Sequence, residues 1–294
     1  MPDILEILKT LLLGIVEGIT EGLPISSTGH MILLDEFISL GVTDAFKELF
    51  LVVIQLGAIL AVPILFWDKL VPSKKKTTEE NRRILNLWLK VIVGVMPAAV
   101  IGVLLDDILE EYLYGFVTVA AALVVYGVAF IVIERINRGK SPRIESVYDI
   151  TWRDALIIGG YQVLSLIPGT SRSGSTILGG MLTGVSRTAA SEFSFFMAIP
   201  VMLGASALKI LKFGIEYIDA PDPTVMIPEG ELLPYIVLLL IGCAVAFFVS
   251  FFAIRFLMNF VRSHSFAAFG IYRIALGALV LLYFVLKVTG VIAA

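Results

Sequence analysis

Two short segments of this chain concentrate residues that could do chemistry. The first reads Glu17-Gly-Ile-Thr-Glu21-Gly-Leu-Pro24-Ile-Ser26-Ser27-Thr28-Gly29-His30. Glu17 and Glu21 are four residues apart and share one face of a helix. Two acids so placed repel unless a cation or proton sits between them. Oxygen ligands of this kind suit a divalent cation, Mg²⁺ with retained waters or Ca²⁺. The alternative is that both acids lie solvated at an interface. Pro24 ends the helix, and Ser26, Ser27 and Thr28 follow in a turn, where hydroxyls commonly cap the next helix. For Ser26 and Thr28, capping weighs at least as much as chemistry. Ser27 with His30 three residues on forms a candidate nucleophile and base, because an activated serine needs a base within hydrogen-bond reach. His264, after Ser263 in a basic stretch, reads as a surface residue.

The second segment reads Pro168-Gly169-Thr170-Ser171-Arg172-Ser173-Gly174-Ser175-Thr176. Arg172 follows a helix-ending Pro-Gly, and its guanidinium can clamp phosphate oxygens bidentately. The amides of the following half-helix, Gly174 among them, would complete an anion cradle with Ser173, Ser175 and Thr176. The alternative is an arginine that snorkels to the cytoplasmic interface. Together the segments hold acids for a cation, hydroxyls and imidazole for transfer, and a guanidinium for phosphate. That is an inventory for phosphoryl transfer.

The elements that position them are dictated by composition. Of 294 residues, 58% are AVILMFWYC and 16% are charged, with a mean hydropathy of +0.95 and a net charge of −3. A soluble domain has roughly 45–50% apolar residues even with glycine counted, and about 25% charged. Disordered chains, basic nucleic-acid binders and ordinary soluble enzymes are excluded, leaving an all-α polytopic membrane protein. One cysteine and two histidines exclude an intrachain disulfide and Cys- or His-rich metal sites. The stretch Met1–Lys9 carries no basic cluster and is not expected to be a cleavable signal. Six transmembrane helices are predicted at about Ala45–Trp67, Leu87–Leu105, Phe116–Ile133, Thr188–Leu211, Leu233–Ile254 and Phe266–Leu286. Two further regions, near residues 4–40 and 154–185, are broken mid-way by Gly, Pro, Ser and Thr. Each is read as a re-entrant helix-loop-helix hairpin.

Charge orients these elements. The stretches Trp67–Asn86, Arg135–Arg153 and Arg255–Arg262 are basic, whereas Asp106–Gly115 and Lys212–Glu231 are acidic. The positive-inside rule then puts the acidic loops and both termini outside. The first hairpin enters from outside and the second from the cytoplasm. Pro24–Ser27 aligns with Pro168–Ser171 at a displacement of 144 residues, and Glu48 with Glu192 likewise. Each half is one hairpin plus three spans, so the second copy must be inverted. The expectation is a single domain over 1–294, with one repeat over about 1–140 and another over about 150–294. Inverted repeats whose broken helices meet at mid-membrane are a transporter architecture, and the two Ser-rich loops should face one polar pocket.

At these residues the chain resembles the bacterial undecaprenyl pyrophosphate phosphatases, also called bacitracin-resistance proteins. The family's Glu/Gln-x-x-x-Glu motif is matched by Glu17 and Glu21. Its Pro-x-Ser-Ser-Thr-Gly-His motif is matched by Pro24 through His30, and its Pro-Gly-x-Ser-Arg-Ser-Gly motif by Pro168 through Gly174. The resemblance covers essentially the whole chain. It implies hydrolysis of undecaprenyl diphosphate to undecaprenyl phosphate and inorganic phosphate, recycling the lipid carrier of peptidoglycan synthesis and conferring bacitracin resistance. It further implies dependence on Mg²⁺ or Ca²⁺ and an active site opening to the outer, periplasmic side of the cytoplasmic membrane. The expected partners are the polyprenyl diphosphate and membrane lipids, with no nucleic acid. A homodimer is among the oligomeric options. Catalysis is expected from Ser27, His30, Glu21 and Arg172, with either His30 or Glu21 taking the Ser27 proton. Direct attack by water, with His30 as base and Ser27 as a ligand, is the other route. Phosphate binding is expected from Ser26, Thr28, Arg172, Ser173, Gly174 and Thr176, and metal binding from Glu17 and Glu21.

Two other readings compete. A polyprenyl-phosphate transporter or flippase fits the inverted repeat, although the hydroxyl, imidazole and guanidinium set exceeds what transport needs. The phosphatidic-acid phosphatase-like superfamily is rejected, because no histidine follows Ser171-Arg172 until His264.

Overall fold

The computed structural model describes residues 2–113, 115–220 and 222–290, the side chains of 106–112 and 223 excepted. It is 80% helix. Among the described residues no strand occurs, only an isolated bridge between Ile144 and Val185. In chain order the helices are α1 (Ile4–Gly22), α2 (Ser27–Phe37), α3 (Asp44–Ile59), α4 (Ala61–Leu65), α5 (Trp67–Leu70) and α6 (Thr78–Leu113). They continue with α7 (Phe116–Asn137), α8 (Trp152–Val163), α9 (Arg172–Leu182), α10 (Arg187–Asp219), α11 (Leu232–Ser263) and α12 (Ala267–Val288).

Among the described residues, six stretches are long and apolar enough to cross a membrane: Asp44–Leu65, Thr78–Leu105, Phe116–Asn137, Arg187–Asp219, Leu232–Ser263 and Ala267–Val288. They fall where the hydropathy pattern predicts spans, but their ends differ. The helix after the first basic loop begins at Thr78, not Leu87, because Thr78-Glu79-Glu80 supplies a good acidic first turn. Helix α6 also runs on to Leu113, through most of the expected loop Asp106–Gly115. The acidic side chains of that stretch lie outside the described residues. Helices α10 and α11 absorb the start of the acidic loop and the whole Arg255–Arg262 stretch. The first span is not continuous. It breaks at Leu60 because Pro63 has no N–H for the Ile59 carbonyl, leaving α3 and α4 end to end.

Large apolar side chains such as Leu104, Val125, Phe252 and Leu282 are exposed along the spans, as hydrocarbon solvent permits. Buried contacts between helices instead use small residues, the usual device where lipid removes the hydrophobic drive for association. Helix α1 lies on α11 so closely that a Cβ on Gly18 would sit 2.7 Å from the Ala246 carbonyl. Helices α7 and α12 cross at Gly127 and Gly270, whose missing Cβ atoms would each lie within 2.7 Å of the other's carbonyl oxygen. The first crossing holds Glu17 and Glu21 in the interior, and the second holds Arg273 there. Helix α7 packs against both α2 and α9, so both half-helices rest on one support.

Candidate active site

Each broken helix resumes through the same local device. Ser26 and Ser171 are the only non-glycine residues with positive φ among those described, at 72° and 73°. Each caps the helix it precedes: Ser26 Oγ accepts from the Gly29 amide at 3.3 Å, and Ser171 Oγ from the Gly174 amide at 3.1 Å. A left-handed serine costs about 1–3 kcal/mol, which the cap bond partly offsets. The matching serines are 145 residues apart, one more than the alignment through Pro24 and Pro168. Ser26 and Ser171 are thus the equivalent caps, and Ser27 takes the place that Arg172 has in the second loop. Gly169, at φ 90°, has its Cα hydrogen against Val119, where a Cβ would lie 2.5 Å from a carbonyl oxygen.

The two loops meet. Glu21, nearly buried at the end of α1, accepts the Ser27 hydroxyl on Oε2 at 2.8 Å and Arg172 Nη2 on Oε1 at 2.7 Å. Arg172 Nη1 donates to the Ser194 carbonyl at 2.9 Å, while its buried Nε has no partner. Ser173 Oγ reaches the Leu23 carbonyl at 3.3 Å and Ser171 Oγ at 3.2 Å. Serine, carboxylate and guanidinium therefore form one connected chain across both loops.

Not every expected residue joins it. His30 bonds elsewhere than Ser27: Nδ1–H donates to the Ser26 carbonyl at 2.7 Å. Its Nε2 lies 2.7 Å from the Tyr272 hydroxyl, from which a neutral imidazole accepts. Thr176 turns its hydroxyl to Ser194 Oγ at 2.7 Å and to the Arg172 carbonyl at 2.9 Å, and Ser175 bonds back to the Ser171 carbonyl at 3.0 Å. Both hydroxyls serve the helix interior, so the cradle's side-chain donors in the second loop come down to Arg172 and Ser173. Gly174 presents its amide to the Ser171 cap.

Thr28 opens onto a cavity of about 970 Å³ between α2, α3 and α10. Apolar Met31 and Phe213 line it, with Asp35 and a Glu48–Lys209 ion pair of 2.7 Å toward its rim.

Glu17 stands apart. It is 0% exposed, and neither carboxylate oxygen has a hydrogen-bond partner. A lone buried carboxylate costs several kcal/mol, so this position is built for a proton or a cation. Among the described residues no cluster of three His, Cys, Asp or Glu exists. The carboxylates of Glu17 and Glu21, one helical turn apart, are the oxygen donor set on hand, and they fit a cation that retains waters or takes substrate oxygens.

Sequence reasoning overlooked Arg273. It is 0% exposed in the second turn of α12 and ties the loops together. Nη1 donates to the Pro24 carbonyl at 3.2 Å, and Nη2 to Gly169 and Thr170 at 2.8 and 2.9 Å. Its guanidinium carbon lies 5.6 Å over the Tyr126 ring. The signal was legible, since an ionisable residue inside an apolar span marks function or a buried partner.

Comparison with known proteins agrees with this picture. The family described as Bacitracin resistance protein BacA matches residues 10–279. The chain belongs to this family. A BacA relative from Enterococcus faecalis, an undecaprenyl-diphosphatase, is 54% identical over 95% of this chain and 98% of its own length. Undecaprenyl-diphosphatases of Desulfitobacterium hafniense and Acetivibrio thermocellus are 52% and 51% identical, over 96% and 95% of this chain and 97% and 98% of their own lengths. As a BacA protein with six apolar helices, the chain is a multi-pass membrane protein.

Proposed function

We propose that this chain hydrolyses undecaprenyl diphosphate to undecaprenyl phosphate and inorganic phosphate, returning the carrier lipid to cell-wall synthesis and so opposing bacitracin. The names of its relatives support the substrate. The observation that carries the chemistry is the Ser27–Glu21–Arg172 chain, which joins a hydroxyl, a proton acceptor and a phosphate clamp drawn from two loops.

The diphosphate enters by the cavity at Thr28, with the polyprenyl chain left among the lipid-facing helices. Arg172 offers its unspent N–H groups to the phosphate oxygens, and Ser173 and Thr28 add hydroxyls. Such donors act where charge develops, the dominant need in phosphoryl transfer. Ser27 Oγ attacks the terminal phosphorus as its proton passes to Glu21. The bond to the bridging oxygen breaks, and undecaprenyl phosphate leaves. Water then attacks the phosphoserine phosphorus; the bond to Ser27 Oγ breaks as Glu21 returns the proton to it, and the water's oxygen and protons leave in inorganic phosphate. His30, engaged by Ser26 and Tyr272, positions the serine loop. Glu17 with Glu21 would hold Mg²⁺ or Ca²⁺, which when bound supplies positive charge against the phosphate oxygens.

The two broken elements are re-entrant hairpins of an inverted repeat in this reading. Support comes from the matched serine caps and from α2 and α9 each being 11 residues long. The basic loops support a reading in which the active site faces the outer side and both termini lie outside.

The test is phosphate release from undecaprenyl diphosphate by the purified protein, with and without chelator. Ser27→Ala should abolish release and any acid-stable phosphoserine. Activity near wild type in that variant would eliminate the covalent route and favour direct attack by water.

A further inference from the structure

The end of the bundle that carries the basic loops holds a second cavity, of about 410 Å³, that shares no lining residue with the one at Thr28. Its walls include Phe66, Ile254 and Met258, and its polar lining includes Lys69, Arg255, Asn259 and Arg262. Arg255, Asn259 and Arg262 are spaced i, i+4, i+7, so they form one stripe along α11. Lys69 is already engaged, donating to both oxygens of Glu192 at 2.7 and 2.8 Å. The two guanidinium groups are not: among the described residues neither makes a hydrogen bond or ion pair. Arg262, in the last turn of α11, is favoured there by the helix dipole. Arg255 lies two turns earlier, beyond the reach of that effect, and its position needs another reason.

We propose that this cavity is a binding site for a lipid with a net-negative phosphate headgroup, distinct from the diphosphate site. Two unpaired guanidiniums supply the fork geometry that phosphate oxygens accept, and Asn259 adds an amide between them. The apolar wall is what separates a lipid from a soluble anion, because Phe66, Ile254 and Met258 offer a chain a place below the headgroup. Basic pockets between membrane helices at this level are the sites that anionic headgroups occupy. The Glu192–Lys69 pair leaves the cavity a net positive charge held by the arginines alone.

The experiment is native mass spectrometry of the purified full-length chain titrated with phosphatidylglycerol, with phosphatidylcholine as the comparison lipid. Wild type should retain one phosphatidylglycerol in preference to phosphatidylcholine. Arg255→Gln/Arg262→Gln should weaken it roughly tenfold or more, and Asn259→Trp, which fills the cavity and keeps both charges, should do the same. Lys74→Gln/Lys75→Gln, which removes equal charge from the neighbouring loop, should leave binding unchanged. Hydrolysis should persist in all three variants, which reports that they fold. The proposal is overturned if the arginine variant binds as wild type does, or if the Lys74/Lys75 variant loses as much. Displacement of the lipid by millimolar inorganic phosphate would equally overturn it, by showing a soluble-anion site.

Discussion

Replacing Arg273 by methionine tests whether the two loops form one site because α12 holds them together. The guanidinium is wholly enclosed and donates to carbonyls of Pro24, Gly169 and Thr170, one from the first loop and two from the second. A hydrogen bond from a charged donor contributes about 1.5–3 kcal/mol, so three have a gross value of about 4–9 kcal/mol. Against this stands the several kcal/mol needed to keep a cation out of water, which methionine does away with. Methionine cannot satisfy the three carbonyls, each of which then carries a desolvation penalty of about 1–3 kcal/mol. The orphaned carbonyls decide the sign, and the net loss should be about 3–5 kcal/mol, the usual result of removing one side of a buried charged contact. For a chain of this size that lowers Tm by on the order of 10 °C. Thermal unfolding in detergent, followed through the tryptophans, reads the shift. Because Arg273 touches backbone and not reacting atoms, kcat should fall with little change in KM. Arg273→Lys, with the charge but no fork, should recover part of both. Wild-type Tm together with wild-type kcat in the methionine variant would refute the reasoning.

Three other outcomes are expected. Glu17→Gln removes the unpartnered carboxylate, so the purified protein should lose any Tm increase on adding Ca²⁺ or Mg²⁺ while being no less stable without it; a retained cation response would put the metal elsewhere. Arg172→Lys keeps charge but cannot bond Glu21, Ser194 and phosphate together, and should lower kcat/KM for a polyprenyl diphosphate by roughly 10²-fold or more, from about 3 kcal/mol of lost transition-state contact. Ser26→Gly relieves the strained φ yet deletes the cap, so Tm should move by less than about 1 kcal/mol equivalent, while kcat falls because the turn before Ser27 is no longer fixed; unchanged kcat would deny the cap a positioning role.

Much of this was legible beforehand, for identifiable reasons. The six spans follow from hydropathy, since hydrocarbon solvent leaves few alternatives. Glu17, Glu21, Ser27 and Arg172 stood out because polar residues are scarce in such a chain. Both Glu21 and His30 were open as partners of Ser27, and the choice of Glu21 was not legible, because it depends on the φ of Ser26, which turns the start of α2 back toward the end of α1. Nor was the inward turn of Thr176, since a threonine facing a cavity and one bonded to its own helix share the same spacing. Helix ends were missed where polar residues extend a helix beyond the membrane, as at Thr78 and Ser263. Arg273 carries a strong signal as a charge within an apolar span, but it belongs to neither motif, and its contacts with Pro24, Gly169 and Thr170 depend on how α12 packs.

On the proposed function, the charge balance at the junction of the loops gives a reason for a cation to bind there. Once the Glu17 carboxyl has lost its proton, Glu17 and Glu21 carry two negative charges, and Arg172 and Arg273 two positive ones. Imidazole adds none in the tautomer that gives its Nδ1 proton to Ser26 and accepts from Tyr272. The protein's own groups therefore cancel. A diphosphate arriving in this low-dielectric interior brings negative charge for which no side chain remains. Arg273 cannot turn to meet it without releasing three carbonyls, and Arg172 cannot give itself wholly to phosphate without leaving Glu21 and Ser194. A divalent cation arriving with the substrate would resolve the imbalance, and the unpartnered oxygens of Glu17 are the one place in this set where it would displace no existing bond. In that reading Glu17 would be kept unpaired so that the site favours cation and diphosphate together over either alone.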